Sequence, residues 1–350
     1  MFERPLIVRC GAFGDMVLLT PLIRALHHRF QCPVDILTSG SWSEPLLRGQ
    51  PGVGEILSVR SRKTPYWLAA DQRRAVARLR QRGSSPTWYC DANDAARSML
   101  SRAAFANDLI VDVADYPLLP GEHVLEQWRR MAQVMPRAFV NELRGDSDRY
   151  RPSAMGCQLT VTSEQQADLD DWLQARGMDG APLLLFQVGN KRTMRRGLRR
   201  FAVNSKYWPN ERWAAVLKAV RELCPQHGIG LLGTGPEYAL NQEVAALANI
   251  PRLYNFADDL PISRLIASLA RAAALITVDS GPAHAAAAVG CPQVVLFGKA
   301  LPSLYRPWGR GDPDVKVLCG QIDAQPNMLG ISTAQVIEAC AGLKLRRASG

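Results

Sequence analysis

The chain lacks any apolar run long enough to cross a bilayer. Asp, Gly, Pro or Arg interrupts each hydrophobic stretch, whereas a spanning helix needs about 20 consecutive apolar residues. An export signal is missing too: the N-terminus runs straight into LIVRC, with no charged-then-apolar stretch and no small-residue cleavage site. A cytoplasmic location is therefore expected. None of the eight cysteines forms a C-x-x-C pair, and most lie inside apolar patterns. They read as reduced core residues, which excludes a disulfide scaffold and a zinc ribbon. H-E-x-x-H and clustered acids are absent, so no metal and no other cofactor is expected. The dinucleotide fingerprint fails after the first strand, where Phe13 and Met16 stand at the second and third glycine positions. Gly298-Lys299-Ala300 is no P-loop, because Gln293 replaces the leading glycine and Ala300 the hydroxyl residue.

What is present is basic charge, +10 over 350 residues, in two clusters. Arg60, Arg62, Lys63, Arg73, Arg74, Arg78, Arg80 and Arg82 form one; Lys191, Arg192, Arg195, Arg196, Arg199 and Arg200 form the other. Such density favours an acidic partner, either phosphorylated lipid, an anionic membrane surface or nucleic acid. The clusters lack interleaved base-stacking aromatics, so a nucleic-acid partner is the weakest of these readings.

The length argues for two domains. Strand candidates at Pro5–Cys10, Val34–Leu37, Ile56–Val59, Thr87–Cys90 and Leu109–Val113 alternate with helices at Met16–Phe30, Ala69–Gln81 and Ala95–Ala104. The polar stretch 140–162 reads as the linker, and a helix from Glu164 to Arg176 opens the second half. Strands follow at Pro182–Val188, Ile229–Gly233, Leu253–Asn255, Leu275–Val278 and Gln293–Phe297. Helices fall near Pro209–Leu223, Tyr238–Ala248, Pro261–Ala270 and Pro282–Val289, with a closing helix at Thr333–Leu343. This alternation predicts two α/β domains, 1–162 and 163–332, plus a closing segment 333–350. Each is expected to be a doubly wound, Rossmann-like parallel sheet, the two facing across a cleft.

Three strand ends carry candidate chemistry. Gly11-Ala12-Phe13-Gly14-Asp15 turns the first strand into a helix, placing Asp15 where a general base for an incoming hydroxyl could sit; the alternative is a capping aspartate. Asp279-Ser280-Gly281-Pro282 ends a buried strand at the start of a small-residue helix. That helix start is a ready seat for a phosphate or diphosphate, with Ser280 as its expected N-cap and His284 beside it. Lys206, in Asn204-Ser205-Lys206-Tyr207-Trp208-Pro209, could neutralise diphosphate charge while Trp208 anchors the loop. Glu237, in Gly233-Thr234-Gly235-Pro236-Glu237, could accept hydrogen bonds from sugar hydroxyls.

The order of these pieces resembles the heptosyltransferase family of bacterial lipopolysaccharide core assembly, glycosyltransferase family 9, with its two-domain GT-B fold. The matching segments are strand–GAFGD–helix, SKYWPNERW, LLGTGPE and VDSGPAHAAAAVGCPQVVLFG, with weaker matches at YCDANDAARS and EHVLEQW. The resemblance implies an inverting, metal-independent transfer from a nucleotide diphosphate sugar, ADP-heptose, to a lipopolysaccharide-core or related acidic glycan. It implies Asp15 as catalytic base; Lys206, Glu237, Asp279, Ser280, Gly281 and His284 as donor-binding residues; and an acceptor side comprising Gly14, Arg60, Arg62, Lys63, Asp91 and His123. The N-terminal domain would take the anionic glycolipid acceptor, with the arginines between 60 and 82 toward phosphorylated lipid or the inner-membrane surface, and the C-terminal domain the donor. The chain departs from the family at Gly298-Lys299-Ala300-Leu301-Pro302, usually G-P-T-[DS]-P, and in the basic stretch Lys191 to Arg200. Two other classes stay open. A GT-B nucleotide-sugar epimerase would not need the basic N-terminal face. A non-catalytic nucleotide-sugar-binding protein would not need Asp15.

Overall fold

The computed structural model describes residues 4–60, 64–91, 94–140, 156–178, 180–190, 204–311 and 313–346. They form two compact units, Met1–Thr160 and Val161–Gly350. Fifteen residues of the expected linker, 141–155, lie outside the described set, as do Arg62, Lys63 and the whole second basic cluster. The end of the linker belongs to the first unit. Cys157 and Leu159 are buried, Gly156 accepts a hydrogen bond from Arg24, and Gln50 and Thr160 exchange two more.

The first unit is a five-stranded parallel sheet of β1 (Leu6–Val8), β2 (Val34–Ser39), β3 (Val53–Val59), β4 (Thr87–Tyr89) and β5 (Ile110–Asp112). Its order is β3-β2-β1-β4-β5. β1, β2 and β4 are buried along their whole length, as strands of a parallel sheet covered on both faces are. The helix Ala70–Arg82 buries Gln72, Ala75, Val76 and Leu79 at helical spacing and turns Arg73, Arg74, Arg78 and Arg80 outward. The one long helix expected over Met16–Phe30 is in fact two, Phe13–Leu18 and Thr20–Phe30. Pro21 has no N–H to offer the Val17 carbonyl four residues back, and the Thr20 hydroxyl donates to it instead at 2.8 Å.

The second unit is a six-stranded parallel sheet of β6 (Leu183–Gln187), β7 (Gly228–Leu231), β8 (Leu253–Asn255), β9 (Ala274–Val278), β10 (Gln293–Phe297) and β11 (Val315–Cys319). The order is β11-β10-β9-β6-β7-β8. β11 was not expected from the sequence: it is an edge strand, only partly buried, with Lys316 inside it. The core gathers Phe186, Trp208 and Trp213, with Trp208 and Trp213 packed edge to face at 4.8 Å. The closing helix Thr333–Ala341 adds Val336 and Ala339 to the same core. No described helix is long and apolar enough to cross a membrane.

Candidate active site

In each sheet the chain winds outward from its first strand, then returns to wind the other way. The reversal falls between β1 and β4 in the first sheet and between β6 and β9 in the second. Ligands of open parallel sheets bind beyond the carboxyl ends of the strands at such switch points.

At the first switch point β1 runs into Gly11 and then the helix Phe13–Leu18. A Cβ on Gly11 would stand 2.4 Å from the Asp15 Cβ, so the turn closes this tightly only with glycine there. The Asp15 carboxylate is held from two sides. Oδ2 accepts the Ala12 N–H at 2.7 Å, and Oδ1 pairs with the Arg9 guanidinium at 3.2 Å. Asp15 thus closes back on the helix start, and the side chain keeps about a third of its surface open. Arg9 also donates to the Cys90 carbonyl and lies over the Trp128 ring. Asp91, buried at the end of β4, accepts the Cys10 N–H at 3.0 Å and so ties the two strand ends together. Gly14 lies inside the first helix, one residue before Asp15.

The remaining described first-unit candidates are His123 and Arg60. His123 is buried, and its Nδ1 accepts the Leu125 N–H as the N-cap of the helix Val124–Gln133. Arg60 is exposed just past β3, at the far edge of the sheet. Four arginines of the first basic cluster make internal bonds, Arg73 among them through the carbonyls of Tyr66 and Trp67. Arg78 binds Glu55 through two hydrogen bonds. Arg82 joins Glu55 and the fully buried Asp35, and Arg80 donates to the Arg102 carbonyl.

At the second switch point Lys206 and Asp279 meet. Lys206 Nζ lies 2.7 Å from Asp279 Oδ2 and donates to the Asp279 carbonyl at 2.7 Å. An ammonium has three donors, so two contacts aim the third. Gly298 makes this approach possible: a Cβ there would stand 1.9 Å from the Ser205 carbonyl oxygen. Trp208, fully buried, fastens the loop by donating from Nε1 to the Ile331 carbonyl at 3.0 Å. Ser280 occupies the N-cap position of the helix Gly281–Ala288, but its side chain does not cap it. The hydroxyl turns to Gln187 Oε1 at 3.2 Å and to Thr277 Oγ1 at 3.2 Å. The helix start is therefore left without a side-chain acceptor, in keeping with an anion seat. His284 is buried within the same helix.

Glu237 follows β7, the neighbour of β6. It is buried, and Oε2 accepts the Thr234 N–H at 2.9 Å and hydroxyl at 2.8 Å. Oε1 is buried with no hydrogen-bond partner among the described residues. Burial pushes its pKa above the ordinary carboxylate value, against the two bonds from Thr234. No group of three His, Cys, Asp or Glu side chains comes together among the described residues as metal ligands would.

Residues 164–329 match the family model of glycosyltransferase family 9 (heptosyltransferase). That segment holds all six strands of the second sheet. The chain is 23% identical over 335 residues, 90% of this chain and 88% of the relative, to lipopolysaccharide heptosyltransferase 2 of Salmonella typhimurium. Its fold is that of the ADP-heptose lipopolysaccharide heptosyltransferase II of Escherichia coli, with a TM-score of 0.72 at 18% identity over 96% of this chain and 97% of that one. A family 9 glycosyltransferase of Veillonella parvula aligns with a TM-score of 0.75 at 18% identity, covering 97% of this chain and 96% of its own. Two doubly wound units of this kind are the GT-B fold. The matched segment contains Lys206, Glu237 and the Asp279–Gly281 turn; Asp15, Asp91, Arg60 and His123 lie outside it.

Two site residues escaped the sequence reading. Arg9, the partner of Asp15, is the charged interruption in an apolar strand, LIVRC. Gln187 is the last residue of β6 and accepts from Ser280. A polar residue closing an otherwise apolar strand was the available signal for both.

Proposed function

We propose that the protein transfers heptose from ADP-heptose to a lipopolysaccharide-core or related anionic glycan, with inversion and without a metal ion, on the cytoplasmic side of the membrane. The observation that carries this reading is the second switch point, where Lys206 and a helix start with no side-chain cap converge on one strand end. A nucleoside diphosphate leaving group develops negative charge as the glycosidic bond breaks. A fixed ammonium and helix N–H groups can receive that charge, the task a divalent cation performs elsewhere. Asp279, Ser280 and Gly281 would hold the donor's sugar and phosphates, with His284 beside them. Glu237 has an unused buried acceptor that suits the ribose diol.

In the first unit Asp15 would take the proton of the acceptor hydroxyl as its oxygen attacks the anomeric carbon from the face opposite the diphosphate. One C–O bond forms and one breaks, the proton passes to Asp15, and the diphosphate leaves with the bonding electrons. Arg9 orients the carboxylate. Gly14, Asp91, His123, Arg60, Arg62 and Lys63 belong to the proposed acceptor side, the last three for anionic groups. The names of the relatives, which act in lipopolysaccharide assembly with heptose, support these choices.

A panel of ADP, UDP, GDP and their sugars tests the donor. ADP and ADP-heptose should raise the melting temperature selectively, since ligand at about 100 times its dissociation constant adds roughly 2.7 kcal/mol. Equal shifts with UDP species would remove the adenine assignment. Heptose transfer should persist in excess EDTA; loss of activity restored by Mg²⁺ would overturn the metal-free mechanism.

A further inference from the structure

The loop 64–69, between the end of β3 and the helix Ala70–Arg82, carries the two most exposed large apolar side chains among the described residues, Trp67 at 73% and Leu68 at 58%. The loop beneath them is fastened. The Tyr66 ring packs on the first unit's core and under the Arg102 guanidinium, 4.4 Å away. Arg73 donates to the carbonyls of Tyr66 and Trp67, and Gln72 donates to that of Thr64. A loop held this firmly could have folded Trp67 inward, yet it presents an indole and an isobutyl group side by side to water. That is a costly exposure in the absence of a partner.

The surrounding charge says what the partner is. Arg60, Arg73 and Arg74 are exposed around the loop, while Arg78, Arg80 and Arg82 are engaged lower on the helix. The acid among them, Asp71, is turned to the backbone N–H groups of Arg60 and Gln72. An amphipathic indole and a leucine ringed by exposed arginines match an anionic bilayer surface, with apolar tips in the headgroup boundary and cations at the phosphates. A protein partner would be expected to offer the loop a pocket and acids. We propose that Trp67 and Leu68 insert into an anionic phospholipid surface, with Arg60 and Arg74 as the electrostatic contact. The loop leaves the carboxyl edge of the sheet, the edge that also carries Asp15 and Asp91. Docking there would bring lipid-borne molecules to that edge.

Flotation of the full chain with phosphatidylglycerol–phosphatidylcholine vesicles and with pure phosphatidylcholine vesicles, at low and high salt, tests this. Wild type should float with the anionic vesicles only, and less at high salt. Trp67→Ser with Leu68→Ser should lower partitioning about tenfold or more, and Arg74→Ala about fivefold. Trp67→Phe should retain most of the binding, and unchanged melting temperatures would show that the variants fold. Three outcomes overturn the proposal: no flotation of wild type, equal binding by the double serine variant, or a wild-type dimer that this variant dissolves in sedimentation velocity. The vesicles contain neither sugar donor nor glycan acceptor, so the result stands whatever becomes of the heptose-transfer reading.

Discussion

The turn after β1 and the turn after β9 share a plan: a buried parallel strand, an acid in the turn or the first helical turn, and a helix directed away from the strand's carboxyl end. Their acids live differently. Asp279 keeps 8% of its side chain exposed and faces an ammonium that bonds both its carboxylate and its carbonyl. Asp15 keeps 35% exposed and meets a guanidinium at 3.2 Å that also serves a neighbouring carbonyl. The first arrangement neutralises the carboxylate and leaves positive groups to meet an anion. The second leaves a reachable carboxylate, held in place but open to solvent, which suits a proton acceptor. On the proposed reading one local motif would serve opposite tasks, the choice resting on which cation arrives and how much water remains.

Exchanging the roles of the two turns should fail unequally. Asp15→Asn removes the proposed proton acceptor and should lower turnover by about 10²–10⁴-fold, with donor affinity unchanged in calorimetry. Wild-type turnover in that variant would break the comparison at its first term. Lys206→Ala strips Asp279 of its counter-ion and the anion seat of its ammonium. Nucleoside-diphosphate affinity should fall by roughly 1.5–3 kcal/mol. If Asp279→Asn restored the affinity of the alanine variant, Lys206 would act only as a structural partner of Asp279.

Gly298→Ala probes the same seat without touching its charges. The added methyl would collide with the Ser205 carbonyl, and relieving the clash should cost about 1–3 kcal/mol of stability. Donor binding should weaken as well, because the Lys206 loop must retreat. A melting temperature and a donor affinity both equal to wild type would show the loop to be slack.

The smallest effect is expected at Glu237. Its folded pKa is raised by burial, so the folded state disfavours the carboxylate that the unfolded chain forms readily. Stability should fall as pH climbs from the ordinary glutamate value through the raised one, and stay level on either side. Glu237→Gln should flatten that slope and raise the melting temperature at neutral pH, while weakening nucleoside binding. An identical pH profile for variant and wild type would mean that water reaches this carboxylate.

Much of the fold was legible because parallel strands covered on both faces must be continuous apolar runs, and β1, β6, β9 and β10 are such runs. β11 was illegible because an edge strand needs no second apolar face. The helix break at Leu19 was legible in hindsight, since Pro21 cannot donate to Val17. Ser280 misled because its residue type favours capping, while Gln187 on a strand 93 positions away offered its hydroxyl another partner. The arginines between 60 and 82 looked like one basic face. Asp35 and Glu55, from other strands, claim two of them and leave the loop end exposed.

By itself the sequence determined the fold class, the strand ends where chemistry could gather, and the residue types placed there. Propensity, apolar periodicity and turn chemistry act over a few residues, so they can be read in order along the chain. Tertiary structure alone decided the pairings. Lys206 and Asp279 stand 73 positions apart, and only the strand order β9-β6 and the close approach at Gly298 bring them together. The same holds for the exposure of Trp67, which no local rule foretells. Whether an apolar side chain is buried depends on what the rest of the chain has already covered.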